Sequence, residues 1–458
     1  MQTQNRYTQI SALALGIAGA LAFGQVHASA FQLKENSVKA QGRAMAGSAS
    51  ALGDASVVVN NPALMSTFEQ KTVQGDLTAI DLSFKYKGGG TDGLGNPLNG
   101  GNGGDAGDVT PVPAASFILP LSGNFEYLTL GAMISAPFGL KTEYDRNWVG
   151  RYHAVKSDVK IVDLTLAASL KLSDRFSAGV GLVYERADVT LSNAIDFGTG
   201  VCKLAPTLCG PTSPYGPQKN DGYASVKGDD TGIGWIFGLS WRPTDQLSIG
   251  YTHRSEIDLD IDGRARFEVP SNVSPLLALV RPGQYQNTGG GAALTTPSVD
   301  TLSATYQFND RFTLMGEISQ TDWHSLKEIR IQFENPVQED VVEDYSWKDS
   351  KMYSLGGEYK INDAFTLRAG IARDESPISL PHRTPRMPDQ DRNWYAIGLT
   401  WAPSENFELS GSYTRIQLAD TPKIALGSDP NGSGQGAFLD GKYDGHANLF
   451  GVSAQYRF

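Results

Sequence analysis

The chain closes on Asn448 to Phe458, NLFGVSAQYRF, and the alternation there restricts what the rest can fold into. Phe450, Val452, Ala454, Tyr456 and Phe458 fall on one parity, while Gly451, Ser453, Gln455 and Arg457 fall on the other. Successive residues of a strand point to opposite faces, so this segment has one greasy face and one small or polar face. Similar patterning runs from Lys71 to the terminus, and no stretch after Phe68 has a helical period. The chain holds 51 Gly, 18 Tyr and 19 Phe but no long uninterrupted apolar run, which excludes spanning helices. Alternating strands of this composition fit a wall with lipid on one side and a lumen on the other. An alternating edge left open invites pairing with other chains, and closure into a barrel removes it.

Punctuation along the chain sets the strand number. Short turns fall at residues 122–124, 173–175, 244–246, 309–311, 362–363 and 404–406. Longer polar segments lie near residues 88–110, 145–150, 197–222, 270–292, 334–343, 376–391 and 427–441. Thirteen connections join fourteen antiparallel strands, an even number as single-chain outer-membrane barrels require, with the short turns periplasmic and the long loops outside. Residues 312–333 are about twice the roughly 10 residues that cross a bilayer, so the wall is expected to stand above the outer surface.

The N-terminal residues define compartment and contents. Arg6, the apolar run Ala12 to Phe23 and the small-residue end Ala28-Ser29-Ala30 make residues 1–30 a secretory signal peptide, with cleavage expected after Ala30. Residues 31–70 lack alternation and are rich in Ala, Ser and Gly. Ser37 to Ala46 reads as a short helix, and Val57 to Val59 as a brief strand. Asn61-Pro62 reads as a helix start, with Asn61 as N-cap and Pro62 at the first helical position. Composition admits both a mobile arm and a compact plug inside the barrel of residues 71–458. A net charge of −11 makes the chain a poor binder of nucleic acid.

One strand breaks its own pattern. Residues 127–144 carry Pro137 in the middle and Gly139 two positions on. Proline cannot donate to the ladder, and a closed barrel has no edge to hide it on. The wall is expected to kink there and leave a side door lined by Ile134, Pro137, Phe138 and Gly139, against the plainer reading of a local bulge. Cys202 and Cys209 share one long loop and are expected to form a local disulfide in an oxidising compartment. Asp389-Gln390-Asp391-Arg392 reads as a solvated loop end or as a carboxylate network lining the mouth. With six His and no G-x-S-x-G, nothing assembles a hydrolase triad. No metal site and no cofactor are expected.

These residues resemble the FadL family of outer-membrane long-chain fatty acid transporters over essentially the whole mature chain. The likeness is carried by Phe31-Gln32-Leu33, by Asn61-Pro62-Ala63-Leu64, by the Gly131 to Tyr144 strand, by Arg254-Ser255-Glu256-Ile257, by Asp389 to Arg392, and by terminal Phe458. The resemblance implies a monomeric fourteen-stranded all-β barrel of the bacterial outer membrane, closed by an N-terminal hatch. Cargo, a fatty acid or another hydrophobic molecule, would enter from the outer loops and leave sideways at the kinked third strand. The hatch motif Asn61 to Leu64 would lie inside the barrel against that strand. Phe31 would border the cargo, and Arg186 would meet its carboxylate, helped by Lys327 or Lys348; Glu343 stands where a lysine is expected. The implied surroundings are outer-membrane lipid and lipopolysaccharide, with the barrel assembly machinery as folding partner. Some relatives carry neutral or aromatic hydrocarbons, which need no basic pair. A general porin would need neither hatch nor Pro137.

Overall fold

The structure, a computed structural model, describes residues 30–210, 212–427 and 436–458, so the expected signal peptide, Ala30 excepted, lies outside the described residues. Among these residues nineteen strand segments form one sheet. Five pairs of segments are collinear halves of one stave, which leaves fourteen staves. The first six are β1 (Thr72–Thr91), β2 (Val109–Pro120), β3 (Leu128–Glu143), β4 (Lys156–Lys171), β5 (Phe176–Asp196) and β6 (Asp221–Trp241). Then come β7 (Leu247–Arg254 with Ile257–Glu268), β8 (Thr288–Thr296 with Val299–Gln307), β9 (Phe312–Thr321 with Glu328–Phe333) and β10 (Ser350–Lys360, preceded by Val341–Asp344). The wall ends with β11 (Phe365–Asp374), β12 (Arg392–Ser404), β13 (Phe407–Leu418 with Lys423–Leu426) and β14 (Phe438–Arg457). Closure comes from β1 pairing antiparallel with β14, from Thr72↔Arg457 to Thr91↔Phe438. In lipid such closure is what satisfies every backbone group of a sheet.

Alternation sorts the side chains as expected. On β1, Thr72, Gln74, Asp76 and Thr78 are buried towards the lumen while Leu77 faces out. Leu166, Leu182, Ile233, Leu302, Ile397 and Val452 are among the exposed apolar residues that form the lipid-facing band.

Residues 30–71 pack against the lumen face of this wall. The expected helix over 37–46 shrinks to one turn, α1 (Val38–Gln41), because Ala44 and Met45 adopt positive φ and turn the chain. Val57–Asn60 is a helical turn, α2, and not the expected strand. Val57, Val58, Leu64 and Met65 share an apolar cluster with Ile118 and Met133, and that packing overrides the extended preference of β-branched residues. Asn61 caps the next turn, Pro62–Thr67, by accepting from the Ala63 N–H at 3.1 Å.

The wall omits side chains where this plug touches it most closely. A methyl group at Gly250 would lie 1.7 Å from the Ala49 carbonyl oxygen, and one at Gly370 2.0 Å from that of Arg43. One at Gly238 would meet the Asn61 side chain, and one at Gly179 the backbone of Pro62 and Ala63. Ion pairs add anchors: Lys39 to Glu408 at 2.7 Å, with Arg457 on the same carboxylate, and Arg43 to Glu358, which Arg368 also holds. Removing one partner from such a buried pair typically costs about 3–5 kcal/mol.

Candidate functional site

The third stave is broken where Pro137 predicted. Ser135 pairs with Asp163 and Phe138 with Ile161, so Ala136 and Pro137 together oppose Val162 alone, a β-bulge. On its other side the ladder with β2 runs only from Pro120↔Thr129 to Ala115↔Ile134. Beyond Ile134 the edge of β3 is taken up from within by the plug's first residues. The Leu33 N–H donates to the Pro137 carbonyl at 2.7 Å, and the Gly139 N–H donates to the Phe31 carbonyl at 2.7 Å. Proline has no N–H but keeps its acceptor, and the edge uses it.

Two cavities meet at this junction. The outer one encloses about 770 Å³ and is walled by Leu140, Val159, Val189, Ile261, Leu294 and Ile331, with Phe31 on its hatch side. Its apolar lining suits an alkyl chain. Phe31 is buried, with ring centroids 5.7 Å from Phe138 and 4.8 Å from Trp323, both edge-on. The inner cavity, about 760 Å³, is bordered by Gln32, Lys34, Asp163, Arg254 and Glu317. There Arg254 donates to Asp163 at 3.1 Å and to Glu185 at 2.5 Å, and lies over the Phe138 ring at 5.3 Å. Burial pushes the Glu35 carboxyl of the plug up to about 7 and draws the Lys34 ammonium down.

Arg386 stands where the apolar cavity opens into a polar vestibule, which Arg330, Asp340 and Glu343 also line. Its Nε donates to Glu343 at 2.8 Å and its Nη1 to the Lys156 carbonyl and the Ser157 hydroxyl, both at 3.2 Å. Among the described residues no bond is made by Nη2.

The expected basic residues lie elsewhere. Arg186 is on the outer face of β5 with Leu182 and Tyr184, about half exposed, and is paired with Asp188 at 3.2 Å and Asp229 at 3.0 Å. The period of two gives the lumen face at that point to Glu185 instead. Lys327 and Lys348 are exposed, because Leu326 and Trp347 take the inward positions next to them. Arg386 escaped the sequence reading because it sits in the 375–391 loop, where no periodicity announces that the chain folds back into the lumen.

The hatch motif packs Leu64 beside Met133 of β3, on the short-turn side of the kink, and makes its hydrogen bonds further round the wall. Asn61 donates to the carbonyls of Ala49 and Leu239, and the Ala63 carbonyl accepts from Ser169 and Ser177, which places the motif on β4 to β6. Pro62 and Leu64 are buried beside them. The kink's own partner is Phe31 to Leu33. Asp389 is buried, not solvated: it accepts from Ser376 at 2.8 Å and from Arg392. Cys202 and Cys209 are bonded, closing a loop over a short helix, α3 (Phe197–Leu204). Asp322, His324 and Asp349 cluster beside the break between the two halves of β9 without having stood out in the sequence. They hold one another and neighbours such as Ser298 and Gln320.

Residues 19–458 match the model of a family described as outer membrane protein transport protein (OMPP1/FadL/TodX). Outer membrane protein P1 of Haemophilus influenzae is 28% identical over 97% of this chain and 98% of its own. The long-chain fatty acid transport protein of Escherichia coli O6:H1 is 28% identical over the same shares. Among solved structures, a FadL homologue of Pseudomonas aeruginosa superposes with a TM-score of 0.85 at 26% identity, covering 94% of this chain and all of the other.

Proposed function

The chain belongs to the OMPP1/FadL/TodX family of outer membrane transport proteins, and from that premise we propose that it carries long-chain fatty acids passively across the outer membrane. Cargo enters the polar vestibule, slides its alkyl chain into the cavity above Phe31, and leaves sideways between β2 and β3. Burying the alkyl chain supplies most of the affinity, at about 0.8 kcal/mol per CH₂. A carboxylate entering so apolar a cavity needs a cation, and the open Nη2 of Arg386 is the nearest one to meet it. The observation that carries the reading is that Phe31 borders the apolar cavity and, together with Leu33, completes the open edge of β3. Whatever moves these residues opens cavity and wall together. Gln32 and Phe138 form a bridge, so Gln32→Cys with Phe138→Cys forms a covalent staple. Uptake of a labelled fatty acid is expected to stop under oxidation and to resume after mild reduction. Unchanged uptake by the stapled protein rules out this exit.

A neutral cargo is the second reading, favoured by one observation: Glu343 already compensates the charge of Arg386.

A further inference from the structure

The lipid-facing surface over β9 to β13 is dented. Gly357 and Ala369 form a cross-strand pair on the outer face. Around them stand Leu314, Leu355, Ile371, Ile397, Tyr395 and Tyr413, enclosing an open groove of about 1190 Å³. On the lumen side of the same staves, Gly356 and Gly370 admit the Arg43 backbone of the plug. The wall is thus one backbone thick here, with almost no side chain on either side.

Arg415 closes the groove at its loop-side end. It follows Tyr413 on the outer face of β13, where the apolar band gives way to polar residues such as Gln417 on the same stave and Asn448 and Asp81 on the staves beside it. Nearby Arg373 is neutralised by Asp391 at 2.7 Å. Arg415 donates only to the neutral Asn448 side chain, at 2.7 Å, and forms no ion pair among the described residues. Asn448 in turn donates to Asp81 at 3.3 Å, so the nearest carboxylate touches Arg415 only through that amide. A guanidinium with no carboxylate in direct contact can take a phosphate, which it grips with two parallel bonds.

We propose that this groove is a binding site for the phosphorylated glycolipid of the outer leaflet. One acyl chain lies over Gly357 and Ala369, and a phosphate of the lipid A headgroup sits on Arg415. Lipid tails are as apolar as the leucines they touch, so the groove gains little from hydrophobic transfer in a bilayer. Selectivity comes from close packing in the dent and from the charge at its end. The site faces the leaflet on the long-loop side because β13 runs outward from the short 405–406 turn.

The test uses the full-length folded barrel, stripped of lipid in mild detergent and given purified lipid A or phosphatidylethanolamine. Retained lipid is counted by native mass spectrometry. Ala369→Phe fills the dent from the outside, and Arg415→Glu reverses the charge; the heat-modifiable gel shift verifies that both fold. Each variant is expected to lower retained lipid A at least tenfold and to leave phosphatidylethanolamine as in the parent. Three outcomes overturn the proposal. Lipid A retained as before in both variants means that the groove holds no such lipid. Loss of both lipids in Ala369→Phe, with Arg415→Glu unaffected, means an unselective acyl groove. A dimer of the parent that Ala369→Phe dissociates means that the occupant is a second copy of the chain.

Discussion

Two cavities lie on either side of the first plug residues, and their linings differ. The outer one is lined by aliphatic residues with one guanidinium at its mouth. The inner one is lined by Lys34, Asp163, Arg254, Glu317 and several hydroxyls. An alkyl chain pushed past Phe31 would leave an apolar lining for one in which the Arg254 ion pairs, Lys34 and Glu317 stand among Met45, Val183 and Ile236. On the proposed route these charged groups make the inner cavity the less favourable of the two for an alkyl chain. The proposed way out is beside Phe31, where β3 is not paired to β2.

The strongest way to break this contrast is to neutralise the inner cavity. Arg254→Leu leaves Asp163 and Glu185 buried without their counter-charge. Barrel stability is expected to fall by about 3–5 kcal/mol, read as a lower midpoint of the heat-modifiable gel shift. Adding Asp163→Asn and Glu185→Gln should recover most of the loss. An unchanged midpoint in the single variant would show that this ion cluster does not support the barrel.

A smaller effect is expected at the other end of the outer cavity. Arg386→Ala removes a charge-assisted bond to a carboxylate cargo, worth about 1.5–3 kcal/mol, so oleate binding should weaken roughly ten- to a hundredfold. An alkane of the same length should bind as before. Glu343→Gln separates the two cargo readings: it frees Arg386 and should tighten oleate binding if the cargo is acidic. Identical oleate titrations for all three proteins would favour the neutral cargo.

A pH dependence is expected at the boundary itself. Glu35 sits two residues beyond Leu33, and its Oε1 has no bond among the described residues. Lys34, Glu317, Asp374 and Arg392 face the same region. Burial raises the docked carboxyl from 4.5 to about 7. The docked segment therefore holds its proton more tightly than the released one. Docking is strongest at low pH, weakens as pH rises from about 4.5 to about 7, and is flat above that. A thiol-reactive probe on Gln32→Cys should label faster at pH 8 than at pH 5 after correction for thiol ionisation, and Glu35→Gln should erase that difference. If the slope persists in Glu35→Gln, another group controls the segment.

Strand number, closure and the broken third stave were all legible from alternation, turn residues and Pro137, because a wall between lipid and lumen imposes a strict period of two. The proposed head-group residue was not. Arg186 shares parity with Leu182 and Tyr184, a lipid-facing series, and that parity was the signal that ruled it out. Arg386 lies between Pro385 and Pro388 in a loop that re-enters the lumen, and tertiary packing alone decides its direction. The valine run at 57–59 misled for the same reason: in a plug, the surrounding wall chooses the conformation.

The glycines that receive the plug have a consequence for how such a protein can diverge. At Gly250 or Gly370 every other amino acid is shut out by backbone atoms of the plug. Those atoms come from Ala49 and Arg43, so substitution at 43 or 49 does not relieve the clash. Plug and wall are cut to one another at main-chain level and can drift only together. Leu294, Ile331 or Val159 face empty space instead, and each can be exchanged for a larger or smaller neighbour without disturbing that fit. A lineage can therefore re-tailor what it admits while its bolt stays the same.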